Sequence, residues 1–258
     1  LSPLTPSPPT ALHLLEDFVD LKPGQSLIQT GATTAVGKLV IQLAASRGVS
    51  TINIVRDRAS AEELSAVKEE LVRLGSGDPS TTVVLSESEI SGKRSVKELS
   101  DHKKLLAPPS LGLNCVGGAA ASSAMRLLGH GATFVTYGGL SRKPLAVPAS
   151  ALIFKDVRVV GFWLSKGLLL QRGGGKGKGS SESESESESK EEKEEAEKEE
   201  VRLRGLASRR RDLDRVAALV SEGVISTDVE KVALKDWRDA LAVLRRGGAG
   251  AKKQVLVP

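Results

Sequence analysis

The sequence is poor in the residue types that mark several protein classes. A single cysteine, Cys115, excludes an intrachain disulfide. No apolar run approaches the roughly 20 residues that a membrane-spanning helix needs, so no membrane span is predicted. The three histidines, His13, His102 and His130, are far apart in sequence and lack the spacing of zinc ligands. We therefore predict no metal site.

Positive charge is spread unevenly along the chain. The formal net charge is +5, but the stretch from Glu182 to Glu200 holds eleven glutamates and three lysines, so the rest of the chain carries +13. A basic balance of this size is found in nucleic-acid binders. Here, however, the lysines and arginines are dispersed among predicted helices, and aromatics, at 3% of residues, are not interleaved with them. We expect no nucleic-acid partner.

Strand-like and helix-like segments alternate over residues 1–166. Short apolar runs rich in β-branched residues are separated by amphipathic stretches, some of which start at serine and stop at glycine. The pattern predicts an α/β fold, a Rossmann-type doubly wound parallel sheet whose strands are SLIQT, TINIV, TTVVL, LGLNC, ATFVTY and VRVVGFW. The lead LSPLTPSPP is predicted to be neither helix nor central strand, with Thr10 capping the first helix.

Low-complexity sequence interrupts this pattern over residues 167–207. Its glycine–lysine run and serine–glutamate repeats cannot bury enough apolar surface to offset the entropy of ordering, so we predict a disordered acidic insert. Residues 1–166 are predicted to form a dinucleotide-binding domain. Residues 208–258 are predicted to complete it with helices and a strand, KQVLV. Because the chain starts at Leu1 and its only methionine is Met125, we expect a front portion to be missing.

The turn after the first predicted strand is built from small residues. Gly31 and Gly37 flank ATTAV, and such a turn lets N–H groups at a helix N-terminus approach a pyrophosphate. Taken alone, a glycine-rich turn is as typical of a tight turn with a purely structural role as it is of a dinucleotide site. The preceding strand, the following helix and a second strand that ends roughly 20 residues later favour a dinucleotide site.

Two arginines follow the second predicted strand, where NAD sites usually place a carboxylate for the ribose hydroxyls. The guanidinium groups of Arg56 and Arg58 suit the 2′-phosphate of NADPH, and we expect the side chain of Asp57 to point elsewhere. The alternative is a solvated arginine pair at a strand end. Together with the glycine turn, the pair favours NADPH as the cofactor.

The chain also contains INIVRDR, LNCVGG, VTYGGL and IFKDVRVVGFWLS, followed near its end by KKQVLV. This combination resembles the mitochondrial trans-2-enoyl-CoA (enoyl-acyl-carrier-protein) reductases, in the zinc-free branch of the medium-chain dehydrogenase/reductase superfamily. The resemblance implies NADPH-dependent reduction of trans-2-enoyl thioesters, on CoA or acyl carrier protein, in mitochondrial fatty-acid synthesis. We expect a mitochondrial homodimer.

The resemblance places cofactor contacts on five segments. They are Thr33, Thr34, Ala35 and Val36; Arg56, Asp57 and Arg58; Tyr137, Gly138, Gly139 and Leu140; Phe162, Trp163 and Leu164; and Lys253. Taken singly, Tyr137 could be a strand-end aromatic and Lys253 a solvated lysine, and Phe162 and Trp163 cannot both face the core. Cys115 is interpreted as a small buried residue rather than a nucleophile.

No catalytic residue is expected in this chain. The family carries a tyrosine that acts on the thioester carbonyl or enolate, but in a barrel domain before this region, and Tyr137, the only tyrosine here, is not its equivalent. The resemblance implies that residues 208–258 return towards this catalytic domain, which the chain lacks. Two other functions stay open. One is a zinc-free quinone reductase, and the other is a non-catalytic NADPH-binding or partner-binding module.

Overall fold

A computed structural model describes residues 6–91, 108–164, 207–226, 229–246 and 253–257. Six parallel strands form one sheet, and they are β1 (Ser26–Thr30), β2 (Ser50–Val55), β3 (Thr82–Ser86), β4 (Leu111–Asn114), β5 (Thr133–Thr136) and β6 (Arg158–Gly161). Within residues 6–91 and 108–155 the structure has six helices, which are α1 (Ser7–Glu16), α2 (Ala35–Ser46), α3 (Ala61–Leu74), α4 (Glu87–Ser91), α5 (Gly118–Leu127) and α6 (Ala149–Lys155). Residues 207–221 are helical and are called α7. A second, two-stranded parallel sheet consists of β7 (Val229–Ala233) and β8 (Lys253–Val257), between which lie a 3-10 turn (Leu234–Asp236) and α8 (Trp237–Arg246).

The strand order of the main sheet is β3-β2-β1-β4-β5-β6, and every neighbouring pair is parallel. The predicted doubly wound parallel sheet is therefore confirmed. The chain builds the sheet outward from β1 in one direction and then from β4 in the other. In such sheets ligands bind outside the carboxyl ends of the strands, where the order reverses. Here that position lies between β1 and β4.

Helices cover both faces of the sheet, and its central strands β1, β2 and β4 are buried at every residue. Leu27 of β1 packs in a hydrophobic cluster with residues of α1 and α2, among them Leu12 and Leu39. Its neighbour Ile28 packs on the opposite face with Met125 of α5 and with Phe134. Because successive strand residues point to opposite faces, a continuous apolar run is what a strand buried on both sides requires.

The first helix begins earlier than the sequence predicted. It starts at Ser7 and includes Pro8 and Pro9, so the expectation that this proline-rich lead is not helical is wrong for its last residues. Proline is tolerated there because the first N–H groups of a helix have no intrahelical partner. Thr10 consequently lies inside the helix and is not its cap, and its hydroxyl donates to the Pro6 carbonyl oxygen at 2.9 Å.

The segment that follows the predicted insert packs against α1 and α2. Val216 and Ile225 join the cluster around Leu27. The Nε2 atom of His13 lies 3.1 Å from a carboxylate oxygen of the buried Asp212, and Arg215 forms an ion pair with Glu16. The insert itself, apart from residue 207, lies outside the described residues. Strand β7 and helices α4 and α6 were not predicted from the sequence.

Candidate dinucleotide site

The turn between β1 and α2 requires glycine at two positions. Gly31 has φ +65°, and a Cβ atom there would lie 2.5 Å from the Sγ atom of Cys115. A Cβ atom on Gly37 would lie 2.7 Å from the carbonyl oxygen of Ala32. Thr34 caps α2, because its hydroxyl accepts a hydrogen bond from the Gly37 N–H at 3.1 Å. The two glycines therefore let the chain fold back tightly on itself before the helix starts.

This geometry directs the N-terminus of α2 to the carboxyl edge of the sheet. Thr33, Thr34 and Val36 are half-buried and Ala35 is exposed. The first N–H groups of a helix lack intrahelical partners and carry the positive end of the helix dipole, so they favour an anion. The predicted turn residues are thus placed where a pyrophosphate would be bound.

The arginine-containing segment lies beside this turn. The Ala32 N–H donates to the Ile54 carbonyl oxygen at 3.3 Å, which joins the turn to the end of β2. Arg56 is exposed, and Arg58 is half-buried with its Nη1 donating to the Arg56 carbonyl oxygen at 2.6 Å. The Nη2 atom of Arg58 is buried and has no hydrogen-bond partner among the described residues. An unpaired guanidinium nitrogen next to an exposed arginine suits a phosphate group.

Asp57 does not point to the same place as the arginines. One carboxylate oxygen accepts hydrogen bonds from the Ser88 hydroxyl at 2.7 Å and from the Ser88 N–H at 3.3 Å. The Ser88 hydroxyl is the main cause of a lowered pKa of Asp57. The side chain is therefore ionised and turned towards α4, as the sequence interpretation expected.

The segment after β5 is attached to the end of β4. The N–H of Tyr137 donates to the Asn114 carbonyl oxygen at 2.9 Å, and the N–H of Leu140 donates to the Cys115 carbonyl oxygen at 2.8 Å. Gly138 sits so close to Cys115 that a Cβ atom would be 3.2 Å from the Cys115 carbonyl oxygen. Gly139 and Leu140 are exposed at the surface of this loop.

The Tyr137 hydroxyl and the Cys115 thiol are neutral, buried groups. The Tyr137 hydroxyl lies beside Cys115 and Thr34 but forms no hydrogen bond of standard geometry within the described chain. Burial raises the pKa of the Cys115 thiol and raises that of Tyr137 well above its usual range. Cys115 is 4% exposed, which confirms its interpretation as a small buried residue. Neither group is suited to give or take a proton at neutral pH.

The segment after β6 separates its aromatic side chains. The Phe162 N–H donates to the Thr136 carbonyl oxygen at 2.9 Å, and the Phe162 ring packs edge-on against Phe18 with 5.7 Å between the ring centroids. Trp163 is 69% exposed, and Leu164 is half-buried. The expectation that Phe162 and Trp163 face opposite sides is confirmed.

Four of the five predicted segments meet at the carboxyl edge of the sheet, after β1, β2, β5 and β6. Val36, Tyr137 and Phe162 pack against one hydrophobic cluster although they are far apart in sequence. Lys253 begins β8, where its backbone pairs with Val229, and its side chain is not among those described. The sequence interpretation missed Asn114, Thr30 and Thr136, which are polar residues at the ends of apolar strands. Their position at the strand ends was the feature of the sequence that could have identified them as site residues.

The family is shown by residues 35–171, which match the family model described as zinc-binding dehydrogenase. The chain belongs to this family. Within the described ranges, however, no group of three or more His, Cys, Asp or Glu side chains is placed to hold a metal ion, so the residues present do not fit the zinc of the family's name.

The chain is also similar to curated proteins named mitochondrial enoyl-[acyl-carrier-protein] reductase. The relative from Arabidopsis thaliana is 48% identical over 165 residues, which is 64% of this chain and 41% of the relative. The human relative is 41% identical over 160 residues, 62% of this chain and 40% of the relative. These matches confirm the resemblance recognised in the sequence. The chain spans about two fifths of the length of these relatives.

Solved structures share the fold. The mitochondrial 2-enoyl thioester reductase Etr1p/Etr2p heterodimer from Candida tropicalis aligns with a TM-score of 0.72 at 24% identity, covering 99% of this chain and 60% of that one. A complex of Etr1p with NADP and crotonyl-CoA aligns equally well, with the same identity and coverage. A putative NADPH:quinone reductase from Mesorhizobium loti aligns with a TM-score of 0.64 at 20% identity, covering 99% and 59%. At these identities the likeness establishes the fold alone.

Proposed function

We propose that the protein to which this chain belongs reduces trans-2-enoyl thioesters with NADPH, and that this chain supplies the cofactor-binding part. The acyl group would be carried by CoA or by acyl carrier protein. The names of the curated relatives and the solved complex of Etr1p with NADP and crotonyl-CoA support this proposal. The observation that carries it is the pair Arg56 and Arg58 beside the glycine turn, with the intervening carboxylate of Asp57 bound to Ser88.

The described residues fit NADPH at three places. The start of α2 would hold the pyrophosphate, because Gly31 and Gly37 allow a tight turn that directs the first N–H groups of the helix to the ligand. Arg56 and Arg58 would bind the 2′-phosphate through charge-assisted hydrogen bonds. Residues 137–140 and 162–164 would border the nicotinamide end. When bound, NADPH would supply the hydride for C3 of the enoyl thioester.

The chain's own groups would orient the cofactor and exclude water rather than move protons. Tyr137 is the only tyrosine, and its buried hydroxyl has a raised pKa. Because the family resemblance implies that the catalytic tyrosine lies in a barrel domain before this region, we expect the donor that stabilises negative charge on the thioester oxygen outside this chain. This agrees with a chain that covers about two fifths of its relatives.

The test is a direct titration of the 258-residue chain with NADPH and NADH, followed by assays of the full-length protein. We expect NADPH to bind more tightly, and the full-length protein to oxidise NADPH with trans-2-enoyl-CoA. Turnover of quinones without turnover of enoyl thioesters would favour the quinone reductase alternative, for which the fold of the Mesorhizobium loti protein is a precedent. Binding without either activity would favour a non-catalytic module.

We also propose that the protein is mitochondrial and that two copies of the chain form a dimer in which their β6 strands pair. Strand β6 is an edge of the main sheet, and edge strands present unpaired N–H and C=O groups. The adjoining helix α6 exposes Ile153 and Phe154 by 71% and 75%. A two-fold axis lets one edge meet its own copy, and Etr1p and Etr2p form a heterodimer. Light scattering should show that the chain is a dimer and that the Phe154→Glu variant is a monomer.

The localisation is tested separately, because fractionation of cells should recover the full-length protein with mitochondria.

A further inference from the structure

The last residue of β4 is a buried asparagine whose side-chain oxygen and nitrogen both form hydrogen bonds at one edge of the sheet. Asn114 is fully buried. Its Oδ1 atom accepts from the Thr30 hydroxyl at 2.9 Å, from the Val116 N–H at 3.2 Å and from the Gly117 N–H at 3.0 Å. Its Nδ2 atom donates to the Thr136 hydroxyl oxygen at 3.2 Å. The two backbone N–H donors fix which end of the carboxamide faces which partner, because only the oxygen accepts.

These bonds join the carboxyl ends of three adjacent strands. Thr30 ends β1 and Thr136 ends β5, while Asn114 lies between them on β4. The Thr30 hydroxyl also accepts from the Cys115 N–H at 3.2 Å, so the network continues into the loop after β4. The position is the point where the strand order reverses, which is where ligands bind in doubly wound sheets.

The same side chain shapes the loop that leads into α5. By accepting from Val116 and Gly117 it forms a local turn of the kind that asparagine stabilises. Gly117 then adopts φ +82° and is the N-cap residue of α5. A Cβ atom there would lie 3.0 Å from the carbonyl oxygen of Lys143, so this loop and the loop after β5 are in close contact.

The loop after β5 is attached by its backbone to the loop that Asn114 orders. Besides the bonds from Tyr137 and Leu140, the Ser141 N–H donates to the Val116 carbonyl oxygen at 2.9 Å. Residues 137–140 therefore depend for their position on residues 114–116. In contrast, the arginine segment is fixed through Asp57 and Ser88, on the far side of β1 from β4.

We propose that Asn114 is a positioning residue that sets the nicotinamide side of the cofactor crevice and leaves the adenosine side unchanged. The inference rests on the proposed function, because it assigns residues 137–140 to the nicotinamide end of NADPH. Asn114 itself is buried and acts through the two loops. It follows that loss of its side chain weakens ligands that reach the nicotinamide end more than ligands that end at the adenosine.

The experiment compares two ligands on the 258-residue chain by calorimetric titration. NADPH spans both ends of the crevice, whereas adenosine 2′,5′-bisphosphate occupies only the arginine side. For Asn114→Ala we expect NADPH affinity to fall about tenfold and bisphosphate affinity to change by less than about twofold. The matched control is Asn53→Ala, which removes another fully buried asparagine from β2 of the same sheet, where it contacts Gln29 and Thr51. The control should change the two affinities by equal factors.

A second variant keeps the test available if Asn114→Ala does not fold. Thr136→Val removes only the partner of Nδ2 and keeps the size of the side chain, and we expect NADPH affinity alone to fall, by about threefold. Equal weakening of both ligands in either variant would overturn the inference and leave the proposed function standing. If the unaltered chain bound neither ligand, the proposal that this chain supplies the cofactor-binding part would be overturned, and this inference with it.

Discussion

The carboxylate of Asp57 accepts a hydrogen bond from the Ser88 hydroxyl at 2.7 Å, which ties the segment after β2 to the start of α4. Without this contact the sequence Arg-Asp-Arg would present mixed charge to a ligand. With it, the Asp57 carboxylate is hydrogen-bonded to α4, and we expect the guanidinium groups of the flanking arginines to bind an anion. A single side-chain bond thus separates the charges of three consecutive residues.

The first prediction concerns the arginines. Arg56→Ala combined with Arg58→Ala should weaken NADPH binding about ten- to a hundredfold and NADH binding much less, because only NADPH carries the 2′-phosphate that charge-assisted hydrogen bonds would hold. Titrations must share one salt concentration, since part of the effect is screened. Arg73→Ala, which removes an exposed arginine from the last turn of α3, is the charge control. Equal losses for both cofactors would show that the arginines only hold the loop.

The second prediction follows from the contact between Asp57 and Ser88. Ser88→Ala should raise the pKa of Asp57 towards its ordinary value, because the Ser88 hydroxyl is the main cause of its lowering. A lowered pKa stabilises the fold above the unfolded-state value and loses that effect as pH falls through the folded-state value. NMR titration of the Asp57 carboxyl would measure the change. Ser91→Ala, at the end of α4, is the control and should leave the pKa of Asp57 unchanged.

The third prediction is a loss of stability at alkaline pH. His13 lies between Asp17 and Asp212, and their hydrogen bonds, that of Asp17 first, raise its pKa to about 9 against the opposing effect of burial. A raised pKa stabilises the fold fully below the unfolded-state value of about 6.5 and loses that effect as pH rises through the folded-state value. We expect the free energy of unfolding to fall by about 2–3 kcal/mol between pH 6 and pH 10.

Denaturant unfolding of two histidine variants would check this prediction. His13→Gln should abolish most of the dependence over that pH range. His130→Gln, which changes an exposed histidine with no contact to either aspartate among the described residues, should preserve it. A His13→Gln protein with the same pH dependence as the unaltered chain would refute the assignment. Glu16, the last residue of α1, forms ion pairs with Arg47 and Arg215, which neither histidine variant removes.

The fourth prediction concerns Gly31 and separates the cost of its positive φ from the cost of a clash between a new Cβ atom and Cys115. Gly31→Ala should destabilise the fold by more than about 2 kcal/mol, since the new Cβ atom would meet the Cys115 Sγ atom at 2.5 Å in a backbone conformation with φ +65°. Gly24→Ala has φ +83° but no atom within 4 Å of the new Cβ, so it should cost only about 1 kcal/mol. Adding Cys115→Ala to Gly31→Ala should restore part of the loss. Equal effects of the two glycine substitutions would mean that the contact with Cys115 is unimportant.

Much of the fold was predictable because its determinants are local. The apolar runs of β1 and β2 are buried at every residue, as a central parallel strand requires, and Ser60 caps α3 by accepting from the Glu63 N–H at 3.2 Å. One exception was the start of α1, where prolines that normally break a helix occupy its first turn. The pattern of Pro8 and Pro9 alone does not distinguish a helix start from an irregular lead, because proline suits both.

The sequence by itself determined the strand–helix alternation, the small residues of the turn and the two arginines after β2, since each depends on residues close together in the chain. Tertiary structure alone decided what Asn114 does, because its partners Thr30 and Thr136 lie 84 and 22 residues away and meet it only when the sheet forms. It also decided that Asp57 turns to Ser88, 31 residues further on. A polar side chain at a strand end has no assigned partner in the sequence. Its hydrogen bonds are chosen by which strands become neighbours, and that choice belongs to the fold as a whole.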